Sequence, residues 1–474
     1  MKKLITAVVF MLISTALVAQ SNSAVTTQTG NTNESIVKQV GGNQDATVTQ
    51  TGNNNASKVK QFTDNLGVQT AEVIQEGNSN ASKVVMGQTG GGNNTANSAY
   101  IHQVGNLNTS FQKVNAPGYN GGQHVIGNQT GNRNSLSQKI LAGYTDRFEA
   151  TQVGNRNAIT QTMPNATHNK GVVSQEGNDN SANQSLTGGN NGYNAPIKIT
   201  QVGNLNSADQ VFVSTQTFSH VNNGLVSQIG NDNYAKQDVL GKNADVSSEV
   251  IGNRNDTRQL ITGASDKSTL FAQGSRNKVK TVQTGDENLV GIKLNDAMIG
   301  GANGNEIRVK QTGDYNYLTL GIRRGDTGGD RNVVNVKQEG NGQYHRLTMD
   351  GSDNDISIQA TGNDGGSQYD GNRGDWSFTN ASPVWTETSD RNSLDLTQDG
   401  TRNYATGKVA GDGNDIVISQ TGSNNMVGST WYDRDGVVIS GNNNDVNIMQ
   451  TGTGNSSFNN VTGNGNLINV TQSN

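Results

Sequence analysis

The chain has 474 residues, of which 31% are hydrophobic and 5% aromatic, with 60 glycines and 4 prolines. That apolar share is too low for a set of ordinary globular cores, and the regular repeat described below is foreign to a disordered tail. The formal net charge is -5, or about -7 once Lys2 and Lys3 leave with a signal peptide (32 basic against 39 acidic residues), which gives no overall basic field for nucleic acid or an anionic membrane. The absence of cysteine excludes disulfides, thiolate metal sites, a cysteine nucleophile and a lipid-modified cysteine anchor.

The N-terminus, MKKLITAVVFMLISTALVAQ, combines a basic start with a mainly apolar run from Leu4 to Val18 and small residues after it. It reads as a secretory signal peptide over 1–19, cleaved after Ala19, with Ala16 as the alternative because Leu17 suits the -3 site poorly. No later segment is long and apolar enough to span a bilayer as a helix.

From residue 20 onward the chain repeats itself. Gln28, Gln39, Gln50 and Gln61 are eleven apart, and NSLDLTQDGTR (392–402), NYATGKVAGDG (403–413), NDIVISQTGSN (414–424) and NDVNIMQTGTG (444–454) restate the same unit near the other end. Between them the spacing stretches while words such as QVGNLN (at 103 and 201) and QEGNDN (175) recur, and Gln alternates with apolar residues at position seven, as in Gln129, Ile140, Gln152 and Met163. The unit is therefore often two elevens, about 22 residues with unlike halves. Within each half, N-x-φ-x-φ-x-Q alternates with period two, as a strand does, and the next four residues are turn formers with a fixed glycine. A lone strand of this length cannot bury its apolar side. Stacked copies of strand-turn-strand rungs can, so the predicted fold is an all-β solenoid over 20–474, with loop insertions near 364–386 and 426–438 and broken rungs in the less regular stretch 240–330.

The same alternation puts Asn414, Ile416, Ile418 and Gln420 on one inward face. A buried amide is costly alone, but one stacked on its counterpart a rung away (about 4.8 Å) forms a cross-β hydrogen-bond ladder that also fixes register. The chain lacks GxSxG, HExxH and P-loop motifs, and its acidic residues are dispersed, so neither catalysis nor a cofactor or metal is expected. Histidines 102, 124, 168, 220 and 345 are read as solvated strand or loop residues. RGD occurs at 324–326 and 373–375, a chance tripeptide in so Gly- and Asp-rich a chain. Trp376, Trp385 and Trp431 fall in the two insertions, as candidate loop contacts for sugar or protein or as covers for an apolar strip.

The pattern Gln-x-Gly-x-x-Asn-x5-Gln resembles the repeats of curlin, the subunit of bacterial curli fibres. Gln39, Gln50, Gln311, Gln338, Gln398, Gln420, Gln450 and Gln472 fit its Gln positions, Asn392, Asn414, Asn444 and Asn466 its Asn/Ser position, and Gly400, Gly422 and Gly452 its turn glycine. The resemblance implies a two-sheet β-solenoid amyloid, exported through an outer-membrane pore and polymerised on the cell surface, with a curli-type nucleator as a further partner. The repeats that open after the signal (AVTTQTGNTN) and run to NLINVTQSN carry no polar cap, so terminal rungs are expected to take up the next copy head to tail. The expected function is thus a secreted structural protein forming extracellular curli-like fibres for biofilm matrix and adhesion. The alternative is a monomeric cell-surface solenoid adhesin binding sugar or protein through its insertions.

Overall fold

Strands of seven to ten residues separated by glycine-bearing turns account for most of the chain, and no helix occurs among the described residues. The computed structural model describes residues 21–63, 68–89, 96–117, 122–190, 196–214, 222–294, 303–323, 329–363, 373–378, 390–428 and 436–474. The signal-peptide reading, Trp385, Trp431, His220 and the first RGD therefore lie outside them. Two units are distinguished, one of Met1–Leu205 with Val211–Val221, the other of Asn206–Gln210 with Asn222–Asn474.

In the first unit, alternate strands join two parallel stacks. Ser23–Thr29, Gln44–Thr51, Gln69–Glu76, Asn97–Asn106, His124–Asn132 and Arg147–Asn155 succeed one another in the first stack. Glu34–Val40, Ala56–Thr63, Ala81–Thr89, Thr109–Pro117 and Ser135–Ile140 do so in the second. Each strand of one stack serves as the crossover for the other, which is how parallel pairing arises without helices. Burial alternates along every interior strand, and Ala46, Val48, Val59, Val73 and Val84 are fully buried between the stacks. The fold is a β-solenoid.

The stretched spacing does not disturb register. Gln28, Gln50, Gln75, Gln103 and Gln129 are 22, 25, 28 and 26 residues apart, yet each pairs directly with the next. The extra residues before Gln69, Asn97 and His124 all fall after second-stack strands, while the arc from each of these glutamines to the following buried Asn keeps five residues. One corner is fixed and the other absorbs length.

The second unit continues the scheme from Asn223–Ile229 to Leu467–Ser473. The broken rungs expected in 240–330 do not occur among the described residues. Asp245–Asn253, Lys267–Ser275 and Leu289–Leu294 pair in unbroken register, as do Asp256–Ala264, Lys278–Thr284 and Glu306–Thr312. Position seven there becomes Val250, Ala272 and Leu294, so the words change while the alternation survives. Within the segment 364–386, Arg373–Phe378 forms a strand between Tyr344–Asp350 and Tyr404–Ala410. Trp376 thus occupies a strand position, in register with Leu347 and Gly407, rather than a loop. Of 426–438, Met426–Val427 pairs with Tyr404–Ala405 and Val437–Ser440 with Gly407–Ala410, so that segment divides one rung strand in two.

Candidate functional site: the amide ladders and the terminal rungs

In the first unit Gln28 Nε2 donates to Gln50 Oε1 at 2.6 Å, and the chain of bonds continues through Gln75, Gln103, Gln129, Gln152 and Gln175 to Gln201 at 2.7–3.0 Å. Each carboxamide has a second N–H, which several use across the core: Gln50 bonds the Glu34 carbonyl, Gln75 that of Ala56 and Gln129 that of Thr109. The ladder therefore ties rung to rung and stack to stack with one side chain. This satisfies the buried amide that would otherwise cost about 1–3 kcal/mol.

Gln39 lies on the opposite stack from Gln50 and donates to Gln61, whose next counterpart is Met86. There the amide moves two residues earlier. Gln112, Gln138, Gln161 and Gln184 form their own ladder at 2.8–3.0 Å, while Val114, Ile140, Met163 and Leu186 fill position seven. The signal was legible, because a Gln stands two residues before each of those apolar residues. The sequence reading followed position seven alone.

In the second unit Gln283 donates to Gln311 and Gln311 to Gln338, and farther on Gln398, Gln420, Gln450 and Gln472 are linked at 2.7–2.8 Å. Between the two runs the register places Ala360, which has no amide. His345, from the facing stack, fills the gap. Its Nδ1 accepts from Gln338 Nε2 at 2.9 Å and its Nε2–H donates to Gln398 Oε1 at 3.1 Å, the tautomer that both amides dictate. The donor-to-acceptor direction passes unbroken through the imidazole. His345 is fully buried, which corrects its reading as a solvated histidine, and burial pushes its pKa down to about 4 against the opposing effect of the Gln398 bond. Its neighbour in the next rung is Gly374, which has no side chain to compete for the space.

A second ladder runs along the corner that leads into Asp415–Ser423 and its neighbours in the stack. The Asn414 backbone N–H donates to Asn392 Oδ1 at 3.0 Å, that of Asn444 to Asn414 Oδ1 and that of Asn466 to Asn444 Oδ1 at the same distance, with each Nδ2 reinforcing the contact. In the first unit Asn33, Asn55, Asn80, Asn108, Asn134, Asn157 and Asn180 repeat it. Gly400, Gly422 and Gly452 sit at the opposite corner with φ of 113°, 110° and 105°. A Cβ on Gly400 would collide with the Gly422 carbonyl, and one on Gly422 with that of Gly452, so glycine is required there by both angle and approach. Asn403 and Asn425 bond these carbonyls at 3.0 Å. The residue before the corner Asn adopts the left-handed region whatever its type, as Leu107, Arg133 and Arg402 do, a feature the sequence did not announce.

Asp146 and Asp266 stand at ladder corners. Each accepts a backbone N–H through Oδ1, from Asn169 and Asn288, while Oδ2 is buried without a partner. Burial pushes both carboxyls up to about 7, against the bonds from Asn169 and Asn288.

At the ends of the described chain the ladders are open. Ser23–Thr29 pairs only with Gln44–Thr51, and Leu467–Ser473 only with Asp445–Thr453, among the described residues. Ile468 and Val470 are part-buried against the core of their own unit. No group of three or more metal-ligating residues occurs among the described residues, and no helix there is long and apolar enough to cross a membrane.

The site is thus a stack of repeating amides on a β-solenoid scaffold. Four segments, 19–52, 37–62, 390–426 and 441–473, match the family model of the curlin associated repeat. The chain carries that repeat at both of its ends, and the repeat suggests a curli-type structural subunit. No curated protein matches the chain.

Proposed function

We propose that the protein is a secreted subunit that stacks head to tail into extracellular curli-type amyloid fibres, serving as biofilm matrix and adhesive surface. The observation that carries this reading is the polarity of the ladders. Gln Nε2 always donates toward the later rung, so Gln472 presents its amide nitrogen outward and Gln39 its carbonyl oxygen. In the Asn ladder the polarity reverses: Asn466 presents Oδ1 and Asn33 its backbone N–H. The Leu467–Ser473 edge therefore presents, at Gln472 and Asn466, the groups that Gln39 and Asn33 call for at the Glu34–Val40 edge, while the other halves of the two terminal rungs carry Val461 and Gln28 and add no such bond. Such a contact is heterologous and does not close, so it propagates. Export through an outer-membrane pore and templating by a curli-type nucleator complete this reading, on the strength of the curlin repeats.

The test is dilution of residues 20–474 from denaturant, followed by negative-stain electron microscopy across a concentration series. Unbranched fibres that grow after a lag, and without one when seeded by their own fragments, are expected. Single rods at every concentration would refute the proposal.

A further inference from the structure

The outward side of the second stack in the first unit carries an unusual charge pattern for a chain of net charge -5. Over five successive strands, from Glu34–Val40 to Ser135–Ile140, the outward positions hold Lys38, Lys58, Lys60, Lys83, Lys113 and Lys139, and Glu34 as the single acid. None of these lysines makes an ion pair among the described residues. Several outward cations elsewhere have an acid on their own strand: Arg258 pairs with Asp256, Arg308 with Glu306, Lys337 with Glu339. Register makes the lysine face costlier still. Lys38 lies directly beside Lys60, Lys58 beside Lys83, and Lys113 beside Lys139, like charges one strand apart. Phe111 sits among them, with the ammonium groups of Lys83 and Lys139 at 5.3 and 5.7 Å from its ring centre.

We propose that this face binds a carboxylated polysaccharide, an extended chain of uronate sugars laid along the solenoid axis. The strands repeat every ~4.8 Å, close to the length of one sugar ring, so a polymer with one carboxylate per ring meets a lysine on each of these five rungs. The flat face and this spacing suit DNA less well, since one strand of a duplex advances ~3.4 Å per phosphate and winds away from a plane. The half-buried Phe111 offers an apolar patch for the face of a sugar ring between the cations. The site is complete within one chain and does not depend on fibre formation.

The experiment titrates polygalacturonate, its neutral methyl ester and duplex DNA into residues 20–474 at low and near-physiological salt. Three proteins are compared: wild type; Lys58→Gln/Lys60→Gln/Lys83→Gln/Lys113→Gln; and a charge-matched control, Lys267→Gln/Lys278→Gln/Lys280→Gln/Lys293→Gln. The expected result is salt-sensitive binding of polygalacturonate by wild type and control, at least about tenfold weaker binding with a flatter salt dependence in the first variant, and none of the ester. Lys→Arg at the same four positions, with an unchanged circular-dichroism spectrum, is expected to keep binding and so separates charge from folding. Equal binding by all the variants, binding of the ester, or no binding by wild type would overturn the proposal. Tighter binding of DNA, lost in the first variant, would overturn it in favour of nucleic acid.

Discussion

His345 repairs a defect that the sequence introduces at Ala360. Removing it takes one partner from each of two buried amides, Gln338 Nε2, which keeps only its bond to the Tyr317 carbonyl, and Gln398 Oε1. His345→Ala should therefore cost about 2–4 kcal/mol, from a lost buried side chain and unpaired polar groups. Adding Ala360→Gln restores the side chain that the register asks for, so the double variant should recover much of that loss. A double-mutant cycle, read as hydrogen-exchange protection in Tyr344–Asp350 and Asp355–Asn363, would show additive losses if the imidazole were a mere filler.

The same residue makes its unit acid-sensitive. Its folded pKa, about 4, lies below the unfolded value of ~6.5, so as pH falls through that window the unfolded chain takes up a proton that the folded one refuses. Stability should fall by roughly 3 kcal/mol between pH 6.5 and 4, and the double variant should lose this slope in melts across that range. Asp146 acts with the opposite sign. Its folded pKa is raised to about 7, so the folded chain holds the proton longer, and stability falls as pH rises from about 4 to 7. Asp146→Asn supplies an N–H where Oδ2 has no partner, and should raise the melting temperature at pH 8 while leaving it little changed at pH 4. A lower melting temperature at pH 8 would show that the carboxylate has a role of its own.

At the scale of the rung, stability comes from repetition of one arc. Ile416 and Ile418 are buried on the face that also carries Gln420, so the strand contributes apolar burial of about 1.5–3 kcal/mol per large side chain together with the ladder bond. Gln420→Leu should cost less than Gln420→Ala, because Leu refills the volume. Both should leave Gln398 and Gln450 short of a partner, at about 1–3 kcal/mol. Gly422→Ala should be worse than either at the same rung, since the added carbon meets the Gly452 backbone and the φ of 110° is strained for any L side chain. Thermal melts that rank Gly422→Ala as the mildest of the three would contradict the close approach. Insertions are tolerated for the complementary reason. In the first unit added residues fall at the corner opposite the buried Asn ladder, where they can loop out without shifting a strand pair.

For the molecule as a whole, ladder polarity determines what a fibre interface must contain. Gln472→Leu removes an outward N–H donor at one end, and should slow seeded elongation several-fold while leaving interior rungs intact. Gln39→Leu should do the same from the other end. Elongation by both at the wild-type rate would mean that growth uses some other surface.

The sequence by itself determined the strand period, the turn glycines, the Asn corner and the pairing of Gln398, Gln420, Gln450 and Gln472, because a stacked fold repeats its local chemistry at a fixed interval and a reader can count it. It also carried, unread, the move of the amide from position seven to position five at Gln112, Gln138 and Gln161. Only the tertiary structure decided which residues meet across the core. His345 and Ala360 lie on strands of different stacks, and nothing in the local alternation says that an imidazole from one fills a vacancy in the other. The segment 364–386 reads as an insertion because its words depart from the repeat, yet Arg373–Phe378 pairs on both sides. Backbone pairing in a solenoid needs the right length and alternation more than the right words, and both neighbours of that strand supply the register.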